Sequence, residues 1–141
     1  MKLGRFFTLE ELTHTNCGLK NVPNSEQITA LTDLVKSVLD PARAIYGNPV
    51  TVNSGFRTPE VNRAVGSKAT KSQHLDGEAA DLDCSNNALL FRIIRDNCPF
   101  DQLIWERGDL TQPAWVHVSF SSKRMRKQIL RFDGVNYLPF K

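Results

Sequence analysis

Cysteine, histidine and long apolar runs are all scarce in this chain, and each shortage excludes something. The three cysteines, Cys17, Cys84 and Cys98, are an odd set without paired metal-ligand spacing, so they support neither a disulfide framework nor a cysteine-rich zinc site. They read as buried or half-buried thiols, and a Cys84–Cys98 bridge requires a fold that brings the two together. No segment is apolar for long enough to cross a bilayer, which argues against membrane insertion. At the start, Glu10 and Glu11 arrive before the apolar core of a signal peptide develops, so no secretion signal is visible. An excess of one charge is lacking too, with 18 lysines and arginines against 15 acids. The basic residues cluster only at Lys123-Arg124-Met125-Arg126-Lys127, which reads as a solvated loop or strand edge, and nucleic acid is not an expected partner.

What remains is 141 residues, 40% hydrophobic and 23% charged, which suits one domain spanning 1–141 around a single core. Thr8, with Glu11 three residues on, is a capping-box signature for a short first helix. Ile28, Leu31, Leu34, Val35, Val38 and Leu39 recur at helical spacing and predict the longest, core-facing helix, with Pro41 as a kink or as the start of a second segment to Tyr46. Val50–Ser54, Ala79–Asp83, Gln102–Glu106 and Trp115–Phe120 read as strands. Thr58 and Pro59 open a short helix, and Ser85 or Asn86 caps another whose stripe is Leu89, Leu90, Ile93 and Ile94. Gly66 to Gln73 reads as a loop, and 121–141 as a terminal hairpin turning at Asp133-Gly134. Helices early and strands late predict an α+β fold, a central antiparallel sheet with flanking helices.

Of the three histidines, His14 has no carboxylate pattern around it and reads as a packed or surface residue. The other two stand in Ser72-Gln73-His74-Leu75-Asp76-Gly77-Glu78-Ala79-Ala80-Asp81 and in Trp115-Val116-His117-Val118-Ser119. A catalytic zinc takes about three protein ligands and keeps one position open, and two imidazoles with one carboxylate leave the ion a strong Lewis acid. His74, Asp81 and His117 supply that set if His74 lies at the mouth of a strand, Gly77 permits a turn, and small Ala79 and Ala80 let the backbone pack closely beneath. His117 then shares its strand face with Trp115 and Ser119. Asp83, on the face of Asp81, reads either as an acceptor from a ligand histidine or as a solvated acid.

On Ser72-x-His74-x-x-Gly77-x-Ala79-x-Asp81, Trp115-Val116-His117-Val118 and Ser54-Gly55-Phe56-Arg57, the chain resembles a known family. It is similar to the zinc D-alanyl-D-alanine carboxypeptidases and their relatives among phage endolysins and vancomycin-resistance dipeptidases, from about Phe7 to Phe120. The resemblance implies a zinc peptidase that hydrolyses D-amino-acid-containing peptidoglycan stem peptides, as a D-Ala-D-Ala carboxypeptidase or an endolysin-type endopeptidase. It implies one Zn2+ per chain on the sheet face, held by His74, Asp81 and His117, and an Arg57 that faces the substrate. Ser72 and Gln73 then contact substrate or orient His74, and Trp115 walls the cleft. A monomer is expected, made in the bacterial cytoplasm and acting on the cell wall after release in a phage or prophage context.

The family usually carries its catalytic acid three residues before the last histidine or on the neighbouring strand. Here Ala114 fills the first position and cannot move a proton. Glu106, at the end of the strand before, is the expected proton-transfer residue, near His117 across a hairpin, with Asp109 in reserve. The alternative that Ala114 leaves open is a catalytically inactive zinc-containing module for cell-wall binding or virion assembly.

Overall fold

Thr8 and Glu11 do form the reciprocal cap that starts α1 (Leu9–Leu12), and Asn24 with Gln27 repeats the device at α2 (Ser25–Leu34). The computed structural model describes residues 1–67, 69 and 71–140; of the loop expected over 66–73, Lys68 and Thr70 lie outside the described residues, as does Lys141. The helical run expected through Pro41 is continuous, with one widened turn. Residues Val35–Leu39 form a π-helical segment in which the Asp40 amide reaches back to the Val35 carbonyl. Pro41 has no amide to donate and its ring crowds the carbonyl one turn back, so a local widening admits it into the first turn of α3 (Asp40–Tyr46).

The strands are β1 (Thr51–Ser54), β2 (Ala79–Asp83), β3 (Gln102–Glu106), β4 (Trp115–Ser119), β5 (Gln128–Phe132) and β6 (Tyr137–Pro139). With α4 (Pro59–Ala64) after Thr58 and α5 (Asn87–Asn97) after Asn86, the α+β reading holds. The sheet order is β1-β2-β4-β3-β5-β6. Every neighbouring pair is antiparallel except β3 and β5, which run parallel, so the expected antiparallel sheet is present with one parallel pair at β5. The cause is local: β4 already occupies one edge of β3, and the chain returns past Ser119 to the other edge from the end where β3 began. Asp101 holds that return, because its carbonyl accepts from the Gln128 amide while its fully buried carboxylate accepts from Arg126.

Side-chain alternation then divides the sheet. Val52, Ala80, Leu82, Val116, Val118, Leu103 and Trp105 face the helices and join Leu31, Leu34, Phe91 and Ile94 in the core. Truncating one of those fully buried leucines costs about 2–5 kcal/mol. The opposite face carries Asp81, His117, Ile104 and Glu106. All three cysteines are free thiols, so the Cys84–Cys98 bridge does not form.

Candidate active site

Asp81 and His117 are direct partners across β2 and β4, which puts their side chains on one face and together. The Nδ1 of His117 lies 2.9 Å from Asp81 Oδ1, and the Nε2 of His74 lies 3.4 Å from Asp81 Oδ2. His74 is not at a strand mouth as expected. It sits on a 3-10 turn, Gln73–Asp76, that ends at Gly77 with φ of 74°, a left-handed conformation. A side chain at Gly77 would also meet the Gln27 carbonyl at 2.6 Å, so the position favours glycine twice over.

The upstream block acts through its backbone as much as through its arginine. The Gly55 carbonyl accepts from His74 Nδ1 at 2.7 Å, and the Arg57 amide donates to the His74 carbonyl at 3.0 Å. A carbonyl only accepts, so His74 carries its proton on Nδ1 and turns the Nε2 lone pair toward Asp81. Burial pushes the His74 pKa down, keeping the ring neutral, although Asp81 pulls the other way. Burial alone would raise the Asp81 carboxyl; the flanking imidazoles of His74 and His117 outweigh it and hold the group well below the usual carboxylate range.

A neutral imidazole, an ionised carboxylate and a second imidazole are the donors a zinc ion takes, and their ligand atoms lie within 4.8 Å of one another. Two tetrahedral ligands at zinc distance stand about 3.4 Å apart, the separation of the His74 and Asp81 donors. The residues fit the metal.

Arg57 is more committed than a free substrate fork. Its Nε donates to Ser54 Oγ at 2.8 Å, one terminal nitrogen to Asn62 Oδ1 at 3.1 Å, and the other stands 3.4 Å from Asp81 Oδ2. It still lines the cleft, as do Ser72, Gln73 and Trp115. Ser72 caps the 3-10 turn by accepting from the His74 amide, and Gln73 Nε2 lies 3.4 Å from Glu78. Asp83 accepts from Asn87 at 2.7 Å and touches neither ligand histidine, which removes that reading. His14 is exposed and lines a separate pocket.

The register corrects the expectation for Glu106. Ile104, not Glu106, stands opposite His117, and Glu106 stands opposite Trp115. Because directly paired residues share a face, Glu106 remains on the side of the zinc-ligand cluster, diagonal to His117. Continuing across the sheet, the same rung is filled by Phe132 and Tyr137, whose rings stack at 4.5 Å. Glu106 is only 7% exposed, makes no salt bridge among the described residues, and is pushed up to about 7 by burial. Asp109 lies outside the cleft; its carboxylate accepts from the Thr111 and Gln112 amides and holds the β3–β4 turn.

The sequence model of the peptidase M15 family matches residues 5–119. The chain belongs to that family. Peptidase M15 members are zinc D-alanyl-D-alanine carboxypeptidases and related metallopeptidases of peptidoglycan. A comparison with curated proteins finds no match.

The cleft that holds the His74, Asp81 and His117 cluster has a volume of about 580 Å³ and reaches beyond the segment matched to peptidase M15. Leu130 and Tyr137 of the terminal strands line it, as do Arg107, Arg124 and Arg126, none of which sequence reasoning picked out. The basic run expected to be a solvated loop is in part a cleft wall, with Arg124 and Arg126 paired to Asp101. Asn62 was also missed; a polar residue at 3% exposure on a short helix is a signal of a bonded role, but only once burial is known. No described helix is long and apolar enough to cross a membrane.

Proposed function

We propose that this chain is a zinc-dependent peptidase that hydrolyses D-amino-acid-containing peptidoglycan stem peptides, with Glu106 as the proton-transfer residue. The observation that carries the reading is the pair of carboxylates on one sheet face, Asp81 tied to both histidines and Glu106 without a salt bridge among the described residues and held near neutrality. When bound at His74, Asp81 and His117, zinc would polarise the scissile carbonyl and make water nucleophilic at neutral pH.

Glu106 takes a proton from the attacking water as the new C–O bond forms, then gives it to the amide nitrogen as the C–N bond breaks. A pKa near 7 suits a group that must do both. Arg57, braced by Ser54 and Asn62, holds Asp81 in place and presents the rest of its fork to negative charge gathering on the substrate oxygen. Ser72 fixes the turn that orients His74, and Trp115 forms the wall opposite Glu106.

The test is mass spectrometry of peptidoglycan digests with and without a chelator. Chelator-sensitive release of stem-peptide fragments is expected, and a zinc-loaded protein that binds muropeptides without cleaving them would support the inactive-module reading. Ala114 is the one feature that favours that second reading.

A further inference from the structure

We propose that Arg107 reads the free α-carboxylate of the substrate's last residue, so that the cleft selects peptide ends over internal bonds. This inference rests on the peptidase reading above and deepens it. Strand alternation would send the side chain after Glu106 to the helix side of the sheet. Arg107 instead has φ of 55°, a left-handed backbone rare for a residue with a side chain, and its guanidinium turns back into the cleft. There it stands 5.2 Å from the Phe132 ring and 5.9 Å from the Trp115 ring, with its amide bonded to the Phe132 carbonyl at 2.7 Å. The rings hold a cation in place without neutralising it.

The other cations of the cleft are differently placed. Arg57 is bonded to Ser54, Asn62 and Asp81, and Arg124 and Arg126 are paired with Asp101. Lys71 belongs to the segment entering the His74 turn, on the β2 side. Arg107 makes no salt bridge among the described residues. Its position next to Glu106 has a chemical consequence. The leaving nitrogen must come within reach of Glu106, and in a C-terminal residue the carboxylate is separated from that nitrogen by one carbon. A carboxylate released at a chain end therefore falls beside Arg107, whose planar fork matches it, whereas an internal bond presents a neutral amide there.

The inference is tested by calorimetric binding to the zinc-loaded Glu106→Gln protein. The probes are diacetyl-L-lysyl-D-alanyl-D-alanine and the same peptide with its C-terminus amidated. The acid is expected to bind about tenfold or more tightly than the amide. Adding Arg107→Gln should erase that preference while amide affinity stays within about twofold, and Arg107→Lys should keep part of it. A preference that survives Arg107→Gln, no preference in the Arg107 protein, or no binding of either peptide overturns the inference. Turnover with Glu106 in place, with and without Arg107→Gln, separates the two readings. Hydrolysis indifferent to Arg107 sinks this inference alone, and an Arg107-dependent acid preference without any hydrolysis sinks the peptidase reading alone.

Discussion

Two neighbouring rungs of the same sheet face carry a carboxylate each, and they treat it in opposite ways. On the rung of Asp81 and His117, both carboxylate oxygens face imidazole nitrogens and a guanidinium adds to the pull, so the charge is favoured despite burial. On the rung of Trp115, Glu106, Phe132 and Tyr137, the carboxylate stands among aromatic rings, and the pull of His117 and Arg107 does not make up for the lost water. A permanently ionised carboxylate and one that titrates near neutrality are thus made from similar groups by their neighbours. Pushing two carboxyl pKa values apart is how a site divides electrostatic and acid–base work.

The comparison breaks most completely at the ligand rung. His117→Ala removes one donor of the cluster, and elemental analysis should find zinc lost together with all turnover. Full zinc occupancy in that variant removes the ligand assignment. Glu106→Gln keeps the shape of the other rung and deletes its proton, so zinc should stay while hydrolysis falls by roughly two or more orders of magnitude. Near-normal rates in Glu106→Gln would sink the proton-transfer role.

A smaller effect sharpens the ligand rung. A guanidinium aimed only at substrate would contribute little to folding, but Arg57 is bonded to Asp81 inside the site. Arg57→Ala in the metal-free protein should therefore lower stability by about 2–4 kcal/mol, since it leaves a buried carboxylate short of a partner. Denaturant titration reads this directly, and a loss too small to measure would return Arg57 to a purely substrate-facing role.

The limits of β2 and β3 were legible in the sequence because alternation and flanking turn residues bound them on both sides. So was the His74, Asp81 and His117 set, whose residue types and spacing few other purposes require. What escaped depended on relations across the sheet. Nothing in 120–127 announces that β5 will join β3 in parallel, because the pairing is decided by which edge of β3 is left open. The β3–β4 register was misjudged by two residues because the connection's length does not reveal that Ala114 bonds back to the Glu106 carbonyl. Arg107 was invisible for a different reason: its left-handed φ reverses the alternation by which a strand is read.

The smallest expected effect tests the aromatic rung without any substrate. The folded Glu106 pKa, about 7, lies above its ordinary 4.5 because burial disfavours the charged form. The stability this protonated group contributes is fully present below about pH 4.5 and is lost as pH rises through 7. In Glu106→Gln the side chain stays neutral throughout, while the titration of Asp81 and His74 is common to both proteins and largely cancels in the comparison. A displacement of this size corresponds to at most about 3–4 kcal/mol, and solvent screening at the mouth of the cleft reduces it to about 1–2 kcal/mol. Metal-free Glu106→Gln should thus gain about 1–2 kcal/mol on the parent protein between pH 4 and pH 8, read from parallel urea titrations in chelator. A stability difference that stays flat across that window means Glu106 ionises as a solvated acid does, and the contrast between the two rungs disappears.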